Sequence, residues 1–310
     1  MVGRGARAPG IVTCLFTDRF GSVLEPFRRW LGREGWTVGE AEDWGANFSG
    51  TSMAAYENAL VGPLFTPWGA HLLDRVGVHE GQSVLDVACG PGTVAQLAAG
   101  RVGRSGSVVG CDLSEEMLSI ARAKGAVSGV AVEYRQCPAD SLSVEDDAFD
   151  VAVCQQGLQF FVDRVGALRE LRRALRNGGR LGVSVWCEID ACEPFAALAA
   201  ALEEVLGSDA SGGYRNGPWG LSDAQGLRHE LGAAGFADVD VRRDEITVEF
   251  EDADHLIRTL GAAPVGAKVQ ELDSEGRRAL RSAVETAAAG LIRGGVVSGV
   301  TTCHTATGTA

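Results

Sequence analysis

Lysine is scarce in this sequence: of 28 basic residues only Lys124 and Lys268 are lysines. Basic charge as a whole is outnumbered by 41 acidic residues, giving a formal net charge of −13. Such a balance repels a phosphate backbone, and the arginines are scattered among carboxylates, so nucleic acid is not an expected partner. Eight cysteines stand at 14, 89, 111, 137, 154, 187, 192 and 303, yet no C-x-x-C pair occurs. That spacing argues against a zinc site or a disulfide framework, and several of the cysteines fall inside apolar strand patterns, so buried reduced thiols are expected. An apolar run of roughly 18 residues, the length needed to cross a bilayer, is also missing. Near the amino end only "IVTCLF" is apolar, short of the roughly 7 to 15 residues of a secretory signal. The expected setting is cytoplasmic, away from the membrane.

What is present is an ordinary globular balance, 45% hydrophobic and 22% charged, over 310 residues. A chain of this length fits one main α/β domain with additions. From residue 83 short apolar runs alternate with amphipathic ones, the pattern of βαβ units. "SVLDVA" (83–88), "SVVGCD" (107–112), "VAVEYRQC" (130–137), "FDVAVC" (149–154) and "RLGVSVW" (180–186) are predicted strands. Helices fit between them: "TVAQLAAGRV", "SEEMLSIARAK" with Ser114 as its cap, and "RVGALRELRRALRNGG" ending in arginines, asparagine and glycine. Beyond residue 188 a helix, "EPFAALAAALEEVLG", precedes a glycine-rich loop, "SDASGGYRNGPWG", placed to cover a site. A further helix leads to the alternating "FADVDVRRDEITVEF"; helices near 252–260 and 274–293 precede a last alternating run at 296–308. Alternation implies antiparallel strands with one wet face. The expected fold is a Rossmann-like doubly wound α/β sheet, mostly parallel with an antiparallel C-terminal strand and helices on both faces. Residues 1–45, with Trp30, Trp36 and Trp44, form an expected extension acting as lid, arm or dimerisation segment. The main domain then covers 46–310, entered by two short helices over 52–76, with cap elements near 188–235 and 252–293.

The stretch "VLDVACGPGTVA" (84–95) runs from a strand into a glycine turn. Gly90 and Gly92 let the backbone turn tightly and approach a ligand, and the helix that follows offers free amides at its N-terminus. Asp112 lies twenty residues after Gly92, at the end of the second strand, where a carboxylate accepts hydrogen bonds from a ribose diol. The alternative is a turn that merely packs helix on strand. Asp86, four residues before Gly90, separates two nucleotide classes. A carboxylate there suits an amino group and gains nothing beside a pyrophosphate, so an aminoacid-bearing ligand is favoured over a dinucleotide.

With "CPADSLSVEDDAFDVAVCQQGLQFFVDRVGALRELRRALRNGGRLGVSVW" following this turn and "HTATG" closing the chain, residues 52–310 resemble the class I S-adenosylmethionine-dependent methyltransferases. The nearest type is the small-molecule ubiquinone/menaquinone-methyltransferase group. The resemblance implies S-adenosylmethionine as cofactor, with Asp86 near its methionine amino group and Ala88, Gly90 and Gly92 along the methionine. It implies Asp112 at the ribose, Leu113 and Met117 on the adenine, Ala139 and Asp140 at the adenine ring and its amine, and Gln155 beneath the methionine end. For Asp140 the competing role is a cap on a helix through "SLSVEDD"; Phe160 and Phe161 are expected in the core. Tyr56 and Trp68, in the segment that covers the cofactor in this family, and Gln156 and Gln159, after the fourth strand, are expected to line the substrate pocket.

Methyl transfer is an in-line displacement in which alignment is the protein's main contribution. An acceptor with an acidic proton calls for a base, and His304 and His71 are the candidates; His79, His229 and His255 read as surface or loop residues. The expected acceptor is a small molecule, as in antibiotic or other natural-product biosynthesis. Two alternatives keep the cofactor site: a non-methylating reaction such as cyclisation or elimination, and a non-catalytic subunit whose partner does the chemistry. A homodimer or partner protein would use the N-terminal extension.

Overall fold

The computed structural model describes residues 56–310; the predicted extension over 1–45 lies outside them. The first described segment, Glu57–Phe65, winds as a π-helix around Pro63 and runs directly into helix α1 (Thr66–Val76). Proline has no N–H to donate within this segment. His255 Nε2 meets Ala59 O at 3.1 Å. One continuous run therefore replaces the two short helices expected, and His255 is a buried anchor rather than a surface residue.

The core of the fold alternates strand and helix: β1 (Ser83–Val87), α2 (Thr93–Val102), β2 (Ser107–Asp112), α3 (Glu115–Ala123), β3 (Glu133–Gln136), β4 (Phe149–Gln155), α4 (Arg164–Ala174) and β5 (Leu175–Trp186). Then come α5 (Glu193–Leu206), α6 (Ser208–Arg215), α7 (Ala224–Ala233), β6 (Ala237–Phe250), α8 (Ala253–Arg258), α9 (Gly266–Gln270), α10 (Ser274–Ala287), β7 (Ile292–Arg293) and β8 (Val296–Thr309). The strands form one sheet in the order β3-β2-β1-β4-β5-β8-β6, with β7 paired to β8. The first five are parallel, and β8 is inserted antiparallel between β5 and β6. This is the doubly wound, mostly parallel sheet with an antiparallel C-terminal strand.

Neighbouring residues of the inner strands feed opposite faces, as strand geometry requires. Val84 joins Leu72, Leu73, Val94 and Ala95 beneath α1 and α2. Leu85 joins Leu168, Leu171, Leu227 and Leu231 beneath α4 and α7. A third core caps the sheet and gathers Trp186, Phe195, Tyr214, Trp219, Phe250 and Leu280. It contains α5, α6, α8 and α10, while α7, placed by the sequence reading within the cap stretch 188–235, packs on the sheet.

Local signals explain most boundaries. Ser114 Oγ accepts from Met117 N at 3.2 Å with Glu115 and Glu116 in the first turn, and Asp163 Oδ1 accepts from Gly166 N at 2.7 Å. The helix expected over 274–293 ends at Ala287, with β7 beyond it, and β3 is shorter than the run 130–137; two further differences have a clear cause. The helix predicted to run through "RNGG" stops at Ala174, because the chain end draws that segment into the sheet: Ala310 N donates to Gly179 O at 2.9 Å and Gly178 N to Ala310 O at 3.1 Å. The loop predicted over 208–220 contains α6, whose Ser211 Oγ donates to Ala199 O at 3.0 Å and whose Tyr214 is buried. Packing there outweighs the weak helix propensity of its glycines.

Candidate active site

The strand order reverses between β1 and β4, and the crevice at their carboxyl ends is where doubly wound sheets hold ligands. The turn after β1 is built for close approach. Ala88, Gly90 and Gly92 have φ of 57°, 52° and 80°, a region that costs little only for glycine. Nothing lies within 4 Å of where a Gly90 side chain would start, so the turn faces open space. At Gly92, by contrast, a Cβ would press on the Tyr134 hydroxyl, and its φ of 80° favours glycine there.

Asp112 ties this turn to β2. Its Oδ2 accepts from Gly90 N at 2.7 Å and its Oδ1 from Ser114 N at 2.8 Å. Each carboxylate oxygen keeps a second lone pair for a ligand hydroxyl. Burial raises the Asp112 pKa, against the pull of the Ser114, Gly90 and Leu113 N–H groups. Asp86 is 1% exposed, and its Oδ2 has no hydrogen-bond partner. Burial first, and the charge of Asp112 in addition, push its pKa up to about 8, while the Ala95 N–H acts the other way.

A shallow cleft opens here. Asp86, Ala88, Cys89, Gly90 and Pro91 form its floor; Thr93 and Val94 of α2 and Gln155 of β4 close two sides. The remaining wall is Tyr56 and Phe65, from the two ends of the π-helical segment. Their rings stack at 5.0 Å and 15°. Gln155 Nε2 donates to Phe65 O at 3.0 Å, fastening that wall to the sheet. Among the described residues the lining carries one carboxyl group and no basic side chain.

Most of the expected cofactor residues converge on this crevice. Asp86, Ala88, Gly90 and Gln155 line it, and Gly92 and Asp112 set its turn. Leu113 stands beside Asp112 with 62% of its surface exposed, and Met117 is buried one helical turn on. Ala139 is half-buried and Asp140 exposed; no helix follows Asp140, so its competing role as a helix cap falls away. The expected substrate residues divide. Tyr56 is in the wall, whereas Trp68 is fully buried in the cap core, donating from Nε1 to Thr301 Oγ1 at 2.9 Å. Gln156 is buried with φ 54° and donates to Cys303 Sγ at 3.1 Å. Gln159 Nε2 lies 3.3 Å from Gln156 Oε1, and Gln159 Oε1 is buried with no partner.

Neither histidine expected as a base lines the cleft. His71 Nε2 is 3.0 Å from Asp244 Oδ2, in a cluster with Thr305 and Arg75 on the far half of the sheet. His304 Nε2 is 2.9 Å from Ser222 O. A carbonyl only accepts, so Nε2 carries the proton and the lone pair is on Nδ1, which is buried without a partner. Phe160, expected in the core, is 46% exposed. Phe65, Cys89, Pro91, Thr93 and Val94 were not anticipated. Thr93 opens α2 directly after the glycine turn, a legible position, and its Oγ1 is buried with no partner. Phe65 reaches the cleft only through tertiary packing and had no sequence signal.

The donor set fits the cofactor that the resemblance implies. Two partnerless polar atoms, Asp86 Oδ2 and Thr93 Oγ1, face a turn with open space at Gly90. Among the described residues the lining has no basic side chain, and its carboxyl group at Asp86 gains nothing beside a pyrophosphate. Among the described residues no group of three His, Cys, Asp or Glu side chains could hold a metal ion, and no helix is long and apolar enough to cross a membrane.

Comparison with known proteins gives the following. Residues 84–179 match a family model described as a methyltransferase domain. Over 118 residues the chain is 38% identical to the ubiquinone/menaquinone biosynthesis C-methyltransferase UbiE of Xylella fastidiosa, covering 37% of this chain and 47% of that protein. It is likewise 38% identical over 128 residues to its namesake from Xanthomonas oryzae, covering 40% and 50%. The chain thus spans about half the length of the curated relatives it matches. A Haemonchus contortus phosphoethanolamine N-methyltransferase 2, solved with phosphomonomethylethanolamine and S-adenosylhomocysteine, aligns with a TM-score of 0.51 at 19% identity over 91% of this chain and 59% of that one. At that identity the likeness concerns the fold.

Proposed function

We propose that this chain, whose residues 84–179 match a methyltransferase domain, is a class I S-adenosylmethionine-dependent enzyme that transfers a methyl group from that cofactor to a small-molecule acceptor. One observation carries the reading: a fully buried Asp86 with a partnerless oxygen, beside a glycine turn that Asp112 holds from the end of β2. Bound, the cofactor supplies a methyl on a positively charged sulfur, activated for displacement. In our assignment Asp86 receives the methionine amino group, Ala88, Gly90 and Gly92 let the backbone lie against the methionine, and Asp112 accepts from the ribose hydroxyls. Leu113, an exposed apolar side chain beside that acid, and Met117 cover the adenine, with Ala139 and Asp140 at its rim.

The residues around the cleft act by alignment and by excluding water. Gln155 fastens the Tyr56–Phe65 wall over the site, and the polar pair Gln156 and Gln159 lies next in the chain, on the acceptor side in our assignment. For an acceptor that loses a proton, His304 is the base we assign: its Nδ1 has no partner, and the assignment requires the acceptor to reach past the residues that line the cleft. His71 is committed to Asp244 and is given no catalytic part.

Calorimetric titration of the purified chain with S-adenosylmethionine and S-adenosylhomocysteine tests the reading. Both should bind, and Asp112→Ala should abolish binding. With an acceptor in hand, release of S-adenosylhomocysteine marks methyl transfer, and His304→Gln should slow turnover without changing cofactor affinity. A folded wild type that binds neither ligand overturns the proposal.

A further inference from the structure

Cys111 and Cys137 stand beside residues assigned to the cofactor, yet methyl transfer uses neither. Cys111 directly precedes Asp112 at the end of β2, and Cys137 follows β3 and directly precedes residues 138–140. The parallel register sets Cys111 opposite Arg135, and side chains two residues apart along a strand share a face, which puts Cys137 on the side of Cys111. Cys137 N extends that ladder by donating to Asp112 O at 3.1 Å. Both side chains are buried in one apolar cluster with Val87 and Leu142. Resting on the cofactor reading above, we propose that Cys111 and Cys137 are an oxidisable dithiol, and that its closure to a disulfide by a peroxide turns the cofactor site to low affinity.

Within the pair the roles differ. Cys137 is the more accessible thiol, 5% exposed between exposed Gln136 and Pro138, against 1% for Cys111. The Cys111 thiol, as hydrogen-bond donor, is the main cause that holds the Cys137 thiol below its usual range; the Ser143 N–H and hydroxyl and the Arg135 charge act with it, against burial. At Cys89, Cys154, Cys187, Cys192 and Cys303 burial raises the thiol pKa instead. The thiolate is the nucleophile in thiol oxidation, so Cys137 reacts first. Its sulfur attacks one peroxide oxygen; the O–O bond breaks, hydroxide leaves, and a sulfenic acid forms. The Cys111 sulfur then attacks the Cys137 sulfur: S–S forms, S–O breaks, and the Cys111 proton leaves with that oxygen as water. The two thiols lose two electrons, and the peroxide ends as two waters. An S–S bond is about 2.0 Å long, shorter than any contact between the unbonded thiols, so the bridge draws residue 137 against the end of β2. That movement falls between Asp112, which holds Gly90 N at 2.7 Å, and Ala139 and Asp140, assigned to the adenine rim. Ribose and adenine contacts are thereby displaced relative to each other.

The test treats the full chain with hydrogen peroxide, maps its disulfides by mass spectrometry of non-reduced peptides, and measures S-adenosylhomocysteine affinity by calorimetry before and after. A peptide pair linked through Cys111 and Cys137 is expected. With it, affinity should fall roughly tenfold, the loss of one hydrogen bond to a charged group, and dithiothreitol should restore it. Cys111→Ala and Cys137→Ala, kept reduced, should bind as wild type does and lose nothing on oxidation. Absence of the linked pair in oxidised wild type overturns the proposal without recourse to any variant. A linked pair with unchanged affinity overturns the switch, as does an equal loss of affinity in the oxidised alanine variants. Reduced wild type that binds neither S-adenosylmethionine nor S-adenosylhomocysteine overturns the cofactor reading and the control of affinity with it, whereas the peptide map reports the bridge separately.

Discussion

Burial pushes the Asp86 carboxyl up to about 8, so without cofactor it holds its proton across most of the physiological range. In the unfolded chain the same group titrates near 4. Between those two values the unfolded state has lost a proton that the folded state retains, so stability falls as pH rises, by at most about 1.4 kcal/mol per unit from this group. Asp86→Asn removes that slope. Thermal midpoints of the cofactor-free proteins should show the variant gaining on wild type from pH 5 to pH 8; parallel curves would contradict a raised pKa. This acid was legible because it precedes Gly90 by four residues on a predicted strand. Its protonation was not, because burial comes from helices and strands elsewhere in the chain. Thr93 sat in plain view after the glycine turn, whereas Phe65 had no local signal at all.

Helix α1 meets the outer strands through the cluster around Asp244. Although burial opposes ionisation, the Thr305 hydroxyl, the His71 ring and Arg75 hold the Asp244 carboxyl below its usual range. A depressed carboxylate contributes stability above its unfolded pKa and loses it as pH falls through the folded value. Asp244→Asn should therefore cost about 1–3 kcal/mol at pH 7, less as pH drops below 4, with cofactor affinity unchanged. Urea midpoints at both pH values check this, and a cost independent of pH would refute it. The strands of this region were readable from their alternation, and helices α3 and α4 from Ser114 and the amphipathic run after Asp163. The end of α4 was not, because Arg176–Gly179 reads as a helix terminus until the chain end, more than a hundred residues later, pairs with it. Helix α6 was hidden for the same kind of reason: Tyr214 finds its partners only in the folded cap.

The cleft joins segments that are distant in the chain, the π-helical strap, the turn after β1, α2 and the end of β4, so a ligand in it links them. A ligand bound to the folded state alone adds stability by mass action, about 2.7 kcal/mol at a hundred times its dissociation constant. S-adenosylhomocysteine at that concentration should raise the denaturation midpoint of the wild type and leave Asp112→Ala unmoved; a shift in neither would argue against the site. The sequence by itself determined the alternation of strand and helix, the glycine turn, the two acids that flank it, and a net acidic charge. Those features are local: they rest on residue periodicity, on backbone freedom at glycine and on charge count. Only the tertiary structure decided that Tyr56 and Phe65 close the cleft while Trp68 goes to the core, and that His71 is spent on Asp244. It likewise decided that His255 meets the Ala59 carbonyl. Each of these depends on contacts between residues far apart in sequence, where packing chooses among partners that no local pattern can rank.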